Sequence, residues 1–375
     1  MTDPVALAKA LIACPSLTPA TGEVFDVLER ALAPLGFAVH RFLSGGPPHG
    51  PVENLVAIRG GGGTHLAFAG HLDVVPGGEG WTAGAFTPDE RGGLLYGRGA
   101  VDMKGGVAAF VAATAQARTD GTLSLLITGD EEGPGEWGTR AIMDWMAERG
   151  IRPDHILIGE PTCEARLGDT VKIGRRGSAN FWVTVHGREG HVAYPHRADN
   201  PLRRLADLLP RIRDLPLDDG SRWFQPSNLE ITDVRTGNDA ANVIPPSATL
   251  RFNIRFNDRQ NGPNLERQVR AIAADHGASV EVLHSGEAFV TEPGRLAEVL
   301  GGAIRAETGL TPELSTSGGT SDARFLHKLA PVAEFGLVNA TMHKRDEAVR
   351  LDDLHALSRI YAAAIRGMSP SSMGS

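Results

Sequence analysis

Cysteine is almost missing from this sequence. Its 375 residues contain only Cys14 and Cys163, with no Cys-x-x-Cys spacing, which excludes a disulfide framework and a thiolate zinc cluster. Aromatic residues make up 6% of the chain and do not interleave with basic ones, so there is no stacking platform for nucleic acid. Positive charge is not in excess either: the net charge is −8, which leaves no electrostatic footprint for nucleic acid or an anionic membrane. No apolar run approaches the ~20 residues that span a bilayer. The N-terminus has no basic segment ahead of its short apolar stretch, so no secretory signal is expected. These absences predict a soluble, cytoplasmic protein with neither nucleic-acid nor membrane partners. The length exceeds what one hydrophobic core usually supports, so two domains are expected.

What is present reads first as an α/β chain. Leu66-Ala-Phe-Ala69 is a short apolar run in which nothing needs water, and it reads as a buried strand, as do Leu123-Ser-Leu-Leu-Ile-Thr128 and His155-Ile-Leu-Ile158. Helical patterns from Gly22 to Leu35, Lys104 to Ala117 and Trp137 to Arg149 alternate with them. A central mixed, mostly parallel sheet covered by helices follows. The pattern changes near Gly177, where strands and helices run in the order β-α-β-β-α-β, the ferredoxin-like α+β arrangement. The helix from Pro201 is expected to stop at Leu209, before Pro210. The expected division is therefore a first domain of residues 1–176 and 290–375, interrupted by an inserted domain of residues 177–289. The tail Ser369–Ser375 has no apolar content to bury and is expected to be disordered or a remnant of expression.

Polar residues collect at the ends of the buried strands. They are His71 and Asp73, Asp102 ahead of the Lys104 helix, Asp130, Glu131 and Glu132 after Thr128, and Glu160 after Ile158. In open α/β sheets the ligand crevice lies at the carboxyl ends of the strands. Carboxylates gathered there repel one another unless a cation joins them, so a metal site is the simplest reconciliation. Imidazole and carboxylate without thiolate suit zinc, cobalt or manganese. A bridging carboxylate allows two metals ~3.5–4 Å apart. His71-x-Asp73 supplies an imidazole and a carboxylate to orient it. Glu131 and Glu132 are neighbours on an extended segment and point different ways, so one can ligate while the other handles a proton.

Four motifs then carry a resemblance. Gly70-His71-Leu-Asp73-Val-Val-Pro76, Gly97-Arg-Gly-Ala-Val-Asp102-Met-Lys-Gly-Gly106, Gly129-Asp-Glu131-Glu132-Gly133 and Gly159-Glu160-Pro-Thr162 resemble the co-catalytic metallopeptidase family of aminoacylases, carboxypeptidases, deacetylases and desuccinylases. The resemblance implies two divalent metal ions per subunit, zinc first with cobalt as the alternative. It implies that Asp102 bridges them, that His71 and Glu160 complete one site, and that Glu132 and His343 complete the other. Asp73 would orient His71, Glu131 would be the general base, and the Asp102-Met103 peptide would be cis. His343 comes from the motif Asn339-Ala-Thr-Met-His343-Lys alone. The inserted domain would make the protein a homodimer.

Stretches in the second half look like the desuccinylase branch of that family: Gly174-Arg175-Arg-Gly-Ser178, Gly190-His191-Val-Ala-Tyr194, Asn242-Val-Ile-Pro245 and Ser317-Gly-Gly319-Thr320-Ser-Asp322. This implies hydrolysis of N-succinyl-L,L-diaminopimelate, with a deacetylase or another N-acyl-amino-acid amidohydrolase as the alternative. A substrate with several carboxylates fits bidentate reading by arginine. Arg175 and Arg255 are expected to do that, with Ser178, Asn242, Gly319, Thr320 and Asn339 as hydrogen-bonding groups. His191 would reach the active site of the partner subunit and stabilise an oxyanion, with Tyr194 nearby. Gly133-Pro-Gly-Glu-Trp-Gly138 matches a dinucleotide fingerprint in spacing, but Asp130, Glu131 and Glu132 would repel a pyrophosphate. Cys163 reads as a small buried filler.

Overall fold

The computed structural model describes residues 3–369 and divides into two compact units. The first comprises residues up to Ile173, then Thr291–Ser315, then Ser321 onward; the second comprises Gly174–Val290 and Thr316–Thr320. This differs from the expected division chiefly at Thr316–Thr320. That segment is held in the second unit by Thr316 Oγ1 donating to the main-chain oxygen of Trp223 (2.6 Å) and Arg175 Nη1 donating to that of Gly319 (3.0 Å).

The first unit is built on an eight-stranded mixed sheet. In spatial order its strands are Ala38–Ser44, Val52–Arg59, Thr122–Thr128, His65–His71, His155–Ile158, Val332–Glu334, Thr170–Lys172 and Glu313–Ser315. The four strands from Thr122–Thr128 to Val332–Glu334 pair in parallel. Consecutive residues such as Leu123–Thr128 and Leu66–Ala69 are buried, so both faces of this region are covered. The helix Lys104–Gln116 is buried along its first eleven residues. It packs between the helices Pro4–Ile12 and Leu351–Gly367. Phe110 stacks on Phe68 with ring centroids 4.1 Å apart, and Tyr361 meets both edge-on while its hydroxyl donates to the Phe335 oxygen at 2.6 Å. That partner is what lets a phenol sit in an apolar core.

The second unit runs Gly177–His186, Pro201–Arg213, Asn228–Arg235, Ser247–Phe256, Gly262–Ala274 and Ala278–Gly286. Its four strands form one antiparallel sheet in the order Asn228–Arg235, Ser247–Phe256, Gly177–His186, Ala278–Gly286. Burial alternates strictly along Ser247–Phe256, because one face packs on Leu205, Leu208, Ile212, Leu265 and Val269 from the two helices. The first helix continues through Pro210 to Arg213. Burial of Leu208 and Ile212 on either side of Pro210 outweighs the lost N–H bond that was expected to end it.

Ser369 is buried, and its hydroxyl accepts from the Asp120 N–H at 3.4 Å. This departs from the expected free tail, whose remaining residues lie outside those described. Among the described residues no helix is long and apolar enough to cross a membrane.

Candidate metal centre

Parallel pairing brings the polar strand ends together. His71 pairs with Thr128, and Ala69 with Ile158, so His71, the Asp130–Glu132 segment and Glu160 emerge at one edge of the sheet. Asp102 arrives from the loop ahead of the Lys104–Gln116 helix, and its peptide to Met103 is cis. Met103 lies against the strand ends: a Cβ on Gly159 would come within 2.7 Å of its Cε and 2.5 Å of Phe68 Cζ. Glycine next to Glu160 is therefore a packing requirement.

The carboxylate of Asp102 is the centre of the cluster. Its Oδ1 lies 3.1 Å from His71 Nε2, and its Oδ2 lies 3.2 Å from His343 Nε2. Glu160 Oε1 is 3.9 Å from His71 Nε2, and Glu132 Oε1 is 2.8 Å from His343 Nε2. One imidazole and one further carboxylate thus flank each oxygen of Asp102. Ligating atoms of His71, Glu131 and Glu160 lie within 4.8 Å of one another, as do those of His71, Asp102 and Glu132.

Asp73 is arranged differently from expectation. His71 Nδ1 donates to the main-chain oxygen of Asp73 at 2.9 Å, and the nearer carboxylate oxygen is 3.6 Å away. The Asp73 carboxylate instead accepts from the N–H groups of Glu131 (3.2 Å) and Glu132 (3.0 Å). It therefore fixes the tautomer of His71 through its backbone and the Glu131-Glu132 segment through its side chain.

The field of the cluster is strongly anionic. Burial opposes charge on His71, yet the hydrogen bond to Asp102 and the charges of Asp73, Asp102 and Glu160 hold its pKa well above the ordinary value. Hydrogen bonds to Asp102 and Glu132 push His343 up to about 10. Asp102 is held well below the usual carboxylate range: burial works against this, but bonds to His343 and His71 outweigh it. Burial raises Asp73 to about 6, against the opposing charge of His71 and the two amide bonds. Burial and then Glu160 push Glu131 well above a normal carboxyl. A site that draws protons onto two imidazoles this firmly also favours divalent cations, which take those protons' place because a ligating imidazole is neutral. Two nitrogen donors, a shared carboxylate and two more carboxylates match a dinuclear site for borderline divalent metals.

Other expected residues fall in three groups. Asn339 opens the turn Asn339–Thr341 just ahead of His343, its N–H donating to the Cys163 oxygen at 2.8 Å. In the second unit His191, Tyr194 and Asn242 share a two-stranded ribbon. Gly190-His191 pairs with Val243-Ile244, the Val192 N–H donates to the Asn242 oxygen at 3.1 Å, and the His191 and Tyr194 rings are 5.8 Å apart. Also in that unit, Arg175 holds the Gly319 oxygen beside Thr320, and Ser178 pairs across the sheet with Arg255. Arg255 has a buried Nη1 with no hydrogen-bond partner, and burial and Arg176 both lower its pKa. Cys163 is buried, accepts from the Gly168 N–H at 3.2 Å, and has its thiol pushed up to about 11 by burial, which removes any thiolate role. Asp130 turns away and closes its own loop, accepting from the Trp137 N–H at 3.4 Å.

Two residues near the centre were not among the expected site residues, although Asp322 closes the motif Ser317–Asp322. Asp322 is buried, accepts from Thr139 Oγ1 at 2.6 Å, and adds to the charge that raises Glu131. Glu347 is fully buried against Arg98, with Nη1 to Oε2 at 2.8 Å.

The chain belongs to peptidase family M20/M25/M40, whose model matches residues 67–367. Within that family it is similar to the succinyl-diaminopimelate desuccinylase of Novosphingobium aromaticivorans, 61% identical over 362 residues that cover 96% of each chain. The enzyme of the same name from Sphingopyxis alaskensis is 61% identical over 363 residues, again 96% of each. Among solved structures, the M20 family metallo-carboxypeptidase Sso-CP2 of Sulfolobus solfataricus shares the fold, with a TM-score of 0.79 at 16% identity over 98% of this chain and 99% of that one. Family and donor clusters together support a dinuclear divalent metal site.

Proposed function

We propose that this protein hydrolyses N-succinyl-L,L-diaminopimelate to succinate and L,L-diaminopimelate, in the lysine and diaminopimelate pathway. Support for the substrate is full-length identity of 61% to enzymes of that name. The observation that carries the chemistry is that Asp102 presents one oxygen to each of two imidazoles. In this reading His71, Asp102 and Glu160 hold one metal and Asp102, Glu132 and His343 the other, with zinc as the resident ion and cobalt able to replace it.

Divalent cations held by these residues would polarise the amide carbonyl and lower the pKa of the attacking water. Glu131 takes a proton from that water as the water oxygen bonds to the carbonyl carbon. It then delivers the proton to the leaving nitrogen as the C–N bond breaks, releasing the amine and the acid. Burial and the charge of Glu160 raise Glu131 in the metal-free cluster; bound cations would pull it back toward the range in which a carboxyl both takes and returns a proton. Asp73 keeps His71 and the Glu131 main chain in place. Arg255 is a cation whose buried Nη1 lacks a partner, beside the like charge of Arg176, and a substrate carboxylate would relieve both. Arg175, Ser178, Gly319, Thr320 and Asn339 would complete substrate contacts. The second unit would serve as the dimerisation lid, carrying His191 with Tyr194 and Asn242 to the active site of the partner subunit, where His191 stabilises the oxyanion. The enzyme would work in the cytoplasm.

Side-by-side turnover of the succinyl substrate and N-acetylornithine, with metal content determined on the same sample, tests this reading. Loss of one charge-assisted carboxylate contact costs about 1.5–3 kcal/mol, so kcat/KM should favour the succinyl substrate by at least ~10-fold. Preference for the acetyl substrate would replace this reading with a deacetylase.

A further inference from the structure

We infer that Arg98 and Glu347 form a positioning pair that sets the metal-binding geometry of Asp102 and His343. The inference rests on the reading of those two residues as ligands.

Glu347 is completely buried, and its carboxylate accepts four hydrogen bonds. Oε2 takes Arg98 Nη1 at 2.8 Å and the Gly99 N–H at 3.2 Å; Oε1 takes the N–H groups of Val101 at 2.8 Å and Asp102 at 3.1 Å. One side chain therefore fixes the main chain on which Asp102 is carried. Its own backbone is fixed in return, because the Gly97 N–H donates to the Glu347 oxygen at 2.9 Å. Arg98 extends the tie in two directions. Nη1 also donates to the Lys344 oxygen at 3.2 Å, one residue past His343, and Nη2 donates to the Pro76 oxygen at 3.3 Å, at the end of the His71 motif.

Three ligand-bearing segments thus meet on one buried ion pair. Such a pair is costly to desolvate and is weak evidence for stability on its own. Its value here lies in orientation. His343 has φ of 60° and Asp346 has φ of 51°, a left-handed conformation that ordinary residues hold only when their surroundings over-determine it. Glu347 ties one end of that segment, and Thr82 ties its middle through two bonds to Asp346, at 3.0 and 2.9 Å. Without the Glu347 carboxylate the segment that carries His343 loses its tie to the Asp102 main chain, and the Asp102 N–H loses its acceptor.

Outer partners of metal ligands typically change metal affinity by 10–100-fold when lost. Glu347→Gln places amide N–H donors where the carboxylate met only donors. Cobalt titration followed by visible absorption, with equilibrium dialysis for stoichiometry, reads the two binding steps separately. The expected result is ~10–100-fold weaker cobalt binding in at least one step with a changed absorption spectrum, together with a lower urea midpoint of the metal-free protein, because Arg98 loses its buried partner. Arg98→Lys keeps the charge but cannot bridge Lys344, Pro76 and Glu347 together, so it should weaken the same step or steps by a smaller factor, and it serves if Glu347→Gln does not fold. Unchanged affinities and spectrum in both folded variants, or a lower urea midpoint with both affinities intact, would overturn the inference. Asp102→Asn and His343→Ala run alongside: if they too leave metal binding unchanged, the ligand reading itself has failed, an outcome distinct from failure of the pair alone.

Discussion

The same substitution, glycine to alanine, should move stability in opposite directions at two helical positions. Gly302 lies within the helix Arg295–Thr308, and a Cβ there would meet nothing within 4 Å. Gly106 lies in the first turn of Lys104–Gln116, and its Cβ would fall 2.6 Å from the main-chain oxygen of Gly159. Relieving the glycine penalty in a helix is worth up to ~1 kcal/mol at either site. At Gly302 that is the whole effect, so Gly302→Ala should raise Tm by about 2–4 °C. At Gly106 the contact is with backbone, which cannot rotate aside, and overpacking of this kind costs ~1–3 kcal/mol. The net is a loss of up to ~2 kcal/mol, a fall in Tm of several degrees. The atom that must give way is one residue before Glu160, so Gly106→Ala should also weaken metal binding. Differential scanning calorimetry of the metal-free variants with a metal titration of each is the assay. A Gly106→Ala protein as stable as Gly302→Ala would refute the reasoning.

Lys104 is fully buried, donates to the Cys14 oxygen at 3.0 Å, and is lowered by burial to about 8. An unfolded lysine keeps its proton to ~10.4, so between those values the unfolded chain binds more protons and stability rises with pH, by up to ~3 kcal/mol. The urea midpoint of the metal-free protein should climb between pH 8 and 10.5 relative to Lys104→Met; a pH-independent difference would contradict the assignment. In the dimer reading, a heterodimer of one His191→Ala and one Glu131→Ala subunit has one intact site. It should recover about half the wild-type rate per dimer from two nearly inactive parents, and no recovery in a verified heterodimer sinks the shared site.

The strands and the strand-end residues could be read from the sequence because their cause is local. Leu66–Ala69 contains nothing that needs water, Leu123–Ile127 has a single polar side chain in Ser124, and the carboxyl end of a parallel sheet is where ligands gather. His343 could not be found that way. It sits in an irregular segment with a left-handed backbone, and only the motif around it pointed to a ligand. Glu347 was quieter still: Lys344-Arg-Asp-Glu347 reads as a solvated polar run, and the partner that buries Glu347 is 249 residues away. Asp73 was legible as a companion of His71, but which of its oxygens meets the imidazole depends on where the Glu131 and Glu132 amides arrive. The return of Thr316–Thr320 to the second unit has the same origin, since Trp223 and Arg175 decide it from far along the chain.

The place of Val332–Glu334 in the sheet bears on how the protein is made. This strand lies beside His155–Ile158, yet it is synthesised only after the whole second unit. At ~5–20 residues per second, a ribosome needs roughly 10–35 s to go from one to the other. Throughout that interval the nascent chain presents His155–Ile158 as an apolar strand with one unpaired edge, the kind of surface that recruits a wrong partner. His343 emerges later still, so in the two-metal reading the ion it would share with Asp102 and Glu132 can be captured only after that strand has been made.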